Sequence, residues 1–296
     1  MATFSANQPY LVTDGLRRVL FNELSRFNEQ YTTYLRVENS TKSDETYARV
    51  GTFGLVSERL EGDPVSYDDP PSGFDVTITP REFAKGFRVS RIIREDDQYN
   101  IIPQLPSGLA SSLKETVETD ASNILNNGFT GGFVGGDGQQ LFSTAHPLPG
   151  GGTASNRPSV DSDLSETSLE QADIDIASWV DDRGKKVNMR PTTLIVPKEL
   201  DWTAKRILKT ERDPDSANNT INAAYGYLQQ NVVNYLTDPD AWFVQCDRHY
   251  LLFNWRRTPD FDTDNDFDTD NMKAKLTARW GTGFEDWYGM YASPGA

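Results

Sequence analysis

His146, His249 and Cys246 are the only histidines and the only cysteine in the chain, so any imidazole or thiol chemistry must start from them. His146 lies in Phe142-Ser143-Thr144-Ala145-His146-Pro147. A hydrolytic reading takes Ser143 or Thr144 as nucleophile and His146 as base. Residues so close along a chain rarely reach triad geometry, and no G-x-S-x-G elbow is present. The stronger reading is a histidine that anchors a loop by hydrogen bonds to backbone. Cys246 and His249 are close enough in sequence for a thiolate pair, but a lone cysteine in a strand pattern is more often a small buried apolar side chain. Two histidines and one cysteine cannot supply the four ligands of a structural zinc site. One cysteine also excludes an intrachain disulfide, which fits a reducing compartment.

Asp260, Asp262, Asp264, Asp266, Asp268 and Asp270 alternate without a break. Calcium takes clustered carboxylates, and Asp262, Asp264 and Asp266 are the weak cation candidates. Counted from Asp260, an EF-hand loop needs glycine at its sixth place and glutamate at its twelfth, where this chain has Asn265 and Asn271. The bland reading is a solvated, self-repelling hairpin tip between a strand ending near Trp255 and one starting near Met272. Residues 128–152 are glycine-rich, but neither a Gly-Lys-Ser/Thr ending nor G-x-G-x-x-G occurs there, so a flexible loop is expected rather than a phosphate cradle. The basic pairs Arg17-Arg18, Lys185-Lys186 and Arg256-Arg257 each sit beside acidic residues. With 29 Lys and Arg against 44 Asp and Glu, the net charge is −15, which opposes binding to phosphate backbones. Neither a catalytic residue nor a cofactor is called for.

The elements that must carry these residues are read from periodicity. Hydrophobic residues make up 36% of 296, enough for a core but thin for one compact body. Val12, Leu16, Leu20, Leu24, Phe27 and Tyr31 predict a helix over 12–31, with Thr13 or Asp14 as N-cap. Residues 38–45 read as a polar linker. Phe74, Val76 and Ile78 alternate with Asp75, Thr77 and Thr79, a strand pattern. A weaker strand over 56–67 precedes it, and Asp68-Asp69-Pro70-Pro71-Ser72-Gly73 is a turn between them. The result is a long, mostly polar hairpin within 51–95, too narrow to bury a core of its own. Phe74, Val76 and Ile78 are then its assembly face, and loss of residues 62–82 should leave the subunit folded. Residues 107–127 predict a helix of roughly 30 Å, closed by Gly128. Beyond it come a helix over 165–182, a buried strand over 192–196, a helix opened by Pro197 and a polar loop over 211–222. Strands follow over 232–236, 241–246, 250–255 and 272–280, and an aromatic tail packs on that last sheet. No apolar run approaches the ~20 residues of a transmembrane helix, and the N-terminus lacks the basic and apolar regions of a signal peptide.

The order of these pieces resembles the major head subunit family of Mu-like tailed phages. The local matches are Leu141-Phe142-Ser143-Thr144-Ala145-His146-Pro147-Leu148, Leu164-Ser165 with Leu169-Glu170-Gln171-Ala172, and Leu194-Ile195-Val196-Pro197 with Leu200 and Ala204. Tyr235-Leu236-Thr237-Asp238 with Ala241-Trp242-Phe243 comes next, then Gly283-Phe284-Glu285-Asp286-Trp287-Tyr288-Gly289. They run in matching order over residues 100–296.

The resemblance implies an α+β subunit with the Hong Kong phage type of major capsid fold. Its parts would be an N-terminal arm (1–50), an extended hairpin loop (51–95), a peripheral domain in two pieces (96–162, with the spine helix, and 230–296) and an axial domain (163–229). It implies hexamers and pentamers of one chain in an icosahedral shell around double-stranded DNA, with portal and scaffolding proteins as partners. Assembly would take place in the host cytoplasm, with the virion as destination and no membrane involved. Only about 50 residues precede the hairpin, so the scaffold is expected as a separate protein, or the numbering starts at a mature end. Lys85 matches by position the lysine that some relatives cross-link to asparagine, but nothing marks a partner and no bond is expected. An encapsulin-like cargo compartment of the same fold, a hydrolase using His146 and an acidic calcium-binding surface protein are the rival readings.

Overall fold

The computed structural model describes residues 8–62, 64–96, 102, 104–212, 221–266 and 268–296. In chain order the elements are α1 (Gln8–Arg26), a 3-10 turn (Tyr31–Thr33), β1 (Arg36–Asn39), β2 (Glu45–Val50), β3 (Ser72–Ile78), β4 (Arg81–Val89), α2 (Arg91–Glu95) and α3 (Gln104–Asn126). Then follow β5 (His146–Pro147), β6 (Thr153–Ala154), α4 (Glu166–Ser178), β7 (Pro191–Val196), α5 (Asp201–Lys209), β8 (Gln229–Val232), β9 (Trp242–Cys246), β10 (Leu251–Asn265), β11 (Met272–Phe284) and β12 (Met290–Ser293). Among the described residues no helix is long and apolar enough to cross a membrane.

Two four-stranded sheets organise the subunit. The first has the order β1-β10-β11-β4. Along β11, Met272, Ala274, Leu276, Ala278 and Trp280 alternate inward with period two. The stripe Leu109, Leu113, Val117, Ala121 and Ile124 of α3 joins them in one core, and α1 packs on α3 with its Leu16, Leu20 and Leu24 in the same core. Trp280 lies at the centre, fully buried, stacked on Phe83 of β4 at 3.9 Å and edge-on to Trp255 at 5.5 Å. Its indole N–H donates to the Asp120 carboxylate of α3 at 2.8 Å.

The second sheet, β12-β9-β7-β8, is a wall between two cores. Phe243, Ile195, Met290 and Ala292 belong to the first core. Their strand neighbours Trp242, Val244, Leu194, Val196 and Tyr291 belong to a second, with Ala172 and Ile176 of α4 and Ala204 and Leu208 of α5. The alternating pleat sorts each strand's residues to opposite faces, so a sheet buried on both sides reads as an unbroken apolar run.

The tertiary structure corrects several expectations. Thr13 and Asp14 lie inside α1 rather than capping it. The polar 38–45 stretch is flanked by paired strands: β1 runs parallel to β10, and β2 pairs antiparallel with β3. Among the described residues of 56–67 none belongs to a strand; β3 takes its ladder from β2, with Glu45 opposite Ile78 and Tyr47 opposite Val76. Gly54, Gly62 and Pro64 interrupt any pleat there. The other half of the expected 51–95 hairpin, β4, pairs with β11, because its Phe83 and Phe87 find the apolar stripe around Trp280. Strand β8 ends at Val232 instead of spanning 232–236. β9 and β12, expected with the second peripheral piece, pair with each other and, through β9, with β7 of the axial segment. Residues 213–220 of the expected polar loop lie outside the described residues.

Candidate assembly site

Chain topology throws residues 51–71 outward as a loop whose two ends meet. The Gly51 N–H donates to the Pro71 carbonyl at 2.8 Å. A Cβ at Gly51 would stand 2.6 Å from that same oxygen, so only glycine allows this closure. Beyond the closure Phe53, Leu55, Val56, Leu60, Val65 and Tyr67 are all exposed, Val56 at 99% and Tyr67 at 93%. Each such side chain gains roughly 1.5–3 kcal/mol when a partner covers it, and isolated exposed apolar groups are ordinary whereas a contiguous run of them marks an interaction surface.

The residues expected to form the assembly face stand elsewhere. Ile78 is buried at 6% within its own subunit. It sits over Gly281 and Gly283 of β11, where a Cβ would come within 2.9 Å of it. Phe74 and Val76 are half-buried on β3. Against Val76 lies Gly136 of the glycine-rich segment, whose lack of a side chain lets its backbone approach the Asp75 carbonyl. That segment is thus a packed turn rather than a free loop. The sequence pattern did not single out this exposed set, because 56–67 reads as a weak strand and the apolar face as Phe74, Val76 and Ile78.

The loop's root is held by polar contacts the sequence did not announce. The Arg49 guanidinium donates to Asp286 at 2.5 Å, stands 3.6 Å from Asp182 and lies 4.9 Å over the Tyr288 ring. Thr52 donates to Asp181 at 2.7 Å, and Arg183 clasps Asp68 at 3.0 Å and the Asp69 carbonyl at 2.8 Å. Asp286 and Tyr288 fall within the Gly283–Gly289 match quoted above, the one signal that pointed here. Burial pushes the Asp286 carboxyl up to about 6, with Arg49 opposing the rise. In the unfolded chain it titrates near 3.8. Between those values the folded state holds a proton the unfolded state has lost. This contribution is therefore full below the unfolded value and disappears as pH rises through about 6. Asp286→Asn is expected to flatten that part of the stability profile, removing up to about 3 kcal/mol of difference between pH 4 and 7. Chemical denaturation of both proteins across that range measures it; parallel profiles would show that Asp286 titrates normally.

His146 is sealed. Its Nδ1 meets Asp137 Oδ2 at 2.6 Å, its Nε2 meets Asn156 Oδ1 at 3.1 Å, and its ring stacks on Trp287 at 4.7 Å. Asn156 in turn accepts from the Ser143 N–H and donates to the Leu141 carbonyl. The histidine anchors the loop through side chains rather than through backbone, and Asn156 relays the hold to the main chain. Ser143 Oγ faces Gln139 and the Ala145 N–H, and Thr144 is exposed, so no hydroxyl is paired with the imidazole. His146→Ala leaves Asp137 Oδ2 and one lone pair of Asn156 without the imidazole, while Asp137 Oδ1 keeps the Gln139 N–H, and is expected to cost roughly 2–4 kcal/mol in a denaturant melt. Cys246 is buried, and burial pushes its thiol up to about 12, which denies it thiolate character. Burial, aided by Arg36, lowers the His249 imidazole below its ordinary range.

Half of the aspartate run is strand, and Asp266, Asp268 and Asp270 lie beyond it at the expected hairpin tip. Asp260, Asp262 and Asp264 belong to β10 and face Thr277, Lys275 and Lys273 of β11. Asp262 lies 3.6 Å from the Lys275 ammonium, and Asp266 pairs with Lys273 at 2.5 Å. The Asp266 N–H donates to the Asn271 carbonyl at 2.9 Å where the two strands meet. Cross-strand lysines offset the charge that was expected to repel itself. Among the described residues no three His, Cys, Asp or Glu side chains gather as a metal site. Lys85 is exposed on β4 and donates to Ser112 of α3 at 3.0 Å.

A long helix across one sheet, a second sheet walled between two cores and an exposed apolar loop make up the frame of the subunit. Solved structures share the architecture. The capsid of the native GTA particle matches with a TM-score of 0.61 at 11% identity, covering 90% of this chain and 90% of that one. The capsid of bacteriophage JBD30 decorated with minor capsid protein trimers matches at 0.57 and 18%, covering 71% of this chain and 92% of that one. The virus-like particle from Pyrococcus furiosus matches at 0.53 and 11%, over 95% of this chain and 98% of that one. The fold is thus the α+β major capsid fold of tailed phages. The phage capsid protein family matches residues 74–293, and the chain belongs to that family. It is also 28% identical over 157 residues to the Mu-like prophage FluMu major head subunit of Haemophilus influenzae, covering 50% of this chain. The chain spans about half the length of that curated relative (49%). Both sequence matches are to phage proteins, so the cargo compartment is not the favoured reading.

Proposed function

We propose that this chain is the major capsid protein of a tailed double-stranded DNA phage or prophage. It assembles as hexamers and pentamers into an icosahedral shell that encloses the genome. The observation that carries the reading is the apolar loop over 53–67, exposed in the subunit and long enough to lie on a neighbour, in a member of a capsid family. The subunit works by contact rather than catalysis. Portal and scaffolding proteins are its assembly partners. The DNA is held without sequence recognition: a charge of −15 keeps the wall from gripping phosphates and so allows packing and release. Assembly takes place in the host cytoplasm and ends in the virion.

Expression with and without portal and scaffolding proteins of a Mu-like phage, followed by negative-stain microscopy, tests this. Closed shells that co-purify with DNA are the expected result. Shells filled with one enzyme would favour a cargo compartment, and subunits that never associate under either condition would overturn the reading.

A further inference from the structure

Five of the six tryptophans are buried or half-buried; Trp202 is 75% exposed. It stands on α5 with the Lys205 ammonium 5.2 Å from its ring centroid. Residues 202, 206 and 209 share one helix face at i, i+4 and i+7, so Trp202, Arg206 and Lys209 form a single exposed stripe. The buried Asp201 is already satisfied by Lys198 at 2.7 Å and Lys205 at 2.9 Å. The stripe is therefore an aromatic anchor with a basic flank, the composition found at the energetic centre of protein interfaces, in a chain that is otherwise strongly acidic.

The complementary surface is on the same chain. Helix α4 carries Glu166, Glu170, Asp173 and Asp175 and no basic residue. Asp173 is engaged by the Tyr227 hydroxyl at 2.6 Å and Asp175 by the Tyr291 hydroxyl at 2.8 Å. Glu166, Glu170 and Ile174 remain as an exposed i, i+4, i+8 stripe, with Ile174 at 55%. An apolar residue with an acidic flank thus mirrors an aromatic residue with a basic flank.

We propose that α5 of one subunit docks on α4 of the next copy of this chain, Trp202 against Ile174, with Arg206 and Lys209 facing Glu166 and Glu170. Charge decides the pairing. α5 on α5 would set basic on basic, and α4 on α4 acid on acid, so unlike stripes must meet. In a shell subunit this α5-to-α4 contact is repeated head-to-tail, and a head-to-tail contact that closes makes a ring. This rests on the shell reading above and names the contact that builds its capsomers.

The test uses the full chain carrying a single new cysteine, either Trp202→Cys or Ile174→Cys, with Cys246 left in place because it is buried. The two proteins are co-assembled in equal amounts and mildly oxidised. Disulfide-linked dimers are expected from the mixture and none from either protein alone. Dimers from Trp202→Cys alone would show an isologous contact and overturn the proposal. Because losing the tryptophan can itself block association, a charge exchange gives an independent answer. Arg206→Glu with Lys209→Glu should keep a native far-UV spectrum yet abolish shells, and adding Glu166→Lys with Glu170→Lys should restore them. Shells that form regardless, or are not restored, overturn it. Wild-type shells with neither cross-link nor rescue defeat this contact alone, whereas a wild-type protein that forms no shells defeats the capsid reading first.

Discussion

Excising residues 53–69 and joining Thr52 to Pro70 through an Asn-Gly turn is expected to yield a folded, soluble subunit that makes no shells. The cut ends already lie side by side, since Gly51 and Pro71 share a 2.8 Å hydrogen bond, and Asn-Gly suits a tight two-residue connection. Among the described residues of 53–69 none is buried, so no core is lost. The contacts given up include the exposed Arg183 contacts to Asp68 and to the Asp69 carbonyl and the Gly54–Asp68 hydrogen bond, worth about 1–2 kcal/mol together at such exposure. Arg49 keeps Asp286, and Thr52 keeps Asp181. The surface lost is the apolar run from Phe53 to Tyr67, which stabilises only when another chain covers it. Far-UV circular dichroism and a denaturant melt measure the first half, and electron microscopy the second. Normal shells from this variant would remove the loop from assembly. The wider excision of 62–82, harmless on the sequence pattern alone, takes away β3 and the buried Ile78 and is expected to unfold the protein.

Trp280→Ala should be the most damaging single truncation, at roughly 3–5 kcal/mol. That is a large share of the ~5–15 kcal/mol by which such a domain is stable. The ring carries no solvent exposure and links three elements: Phe83 of β4, Trp255 of β10 and Asp120 of α3. Its loss opens a cavity and removes a donor from a carboxylate that then relies on Arg81 at 2.5 Å. Trp202→Ala is the matched control, because the exposed ring should change subunit stability by no more than about 0.5 kcal/mol. Equal losses for the two would contradict the burial that separates them.

What the chain determined by itself is what local periodicity can carry. The stripe from Leu109 to Ile124 specified α3, the alternation from Met272 to Trp280 specified β11, and the apolar run Leu194-Ile195-Val196 specified a buried strand. In each, the residues that pattern an element also meet its core, so a window of ten or twenty positions holds the information. The outward loop was legible as a segment unable to bury itself. Which of its residues stay uncovered was not, because that depends on partners far along the chain. Ile78 looked like an interface residue until Gly281 and Gly283, about two hundred positions away, left room beneath it. Residues 56–67 looked like a strand until β2 took the β3 ladder. The acidic run looked like a repelling tip until Lys273 and Lys275 came opposite it. Arg49, Asp182 and Asp286 meet only because two sheets bring separate segments to one point. Strand pairing and the cover over each side chain are long-range choices, made by the sum of burial over the whole molecule, and only the tertiary structure decided them.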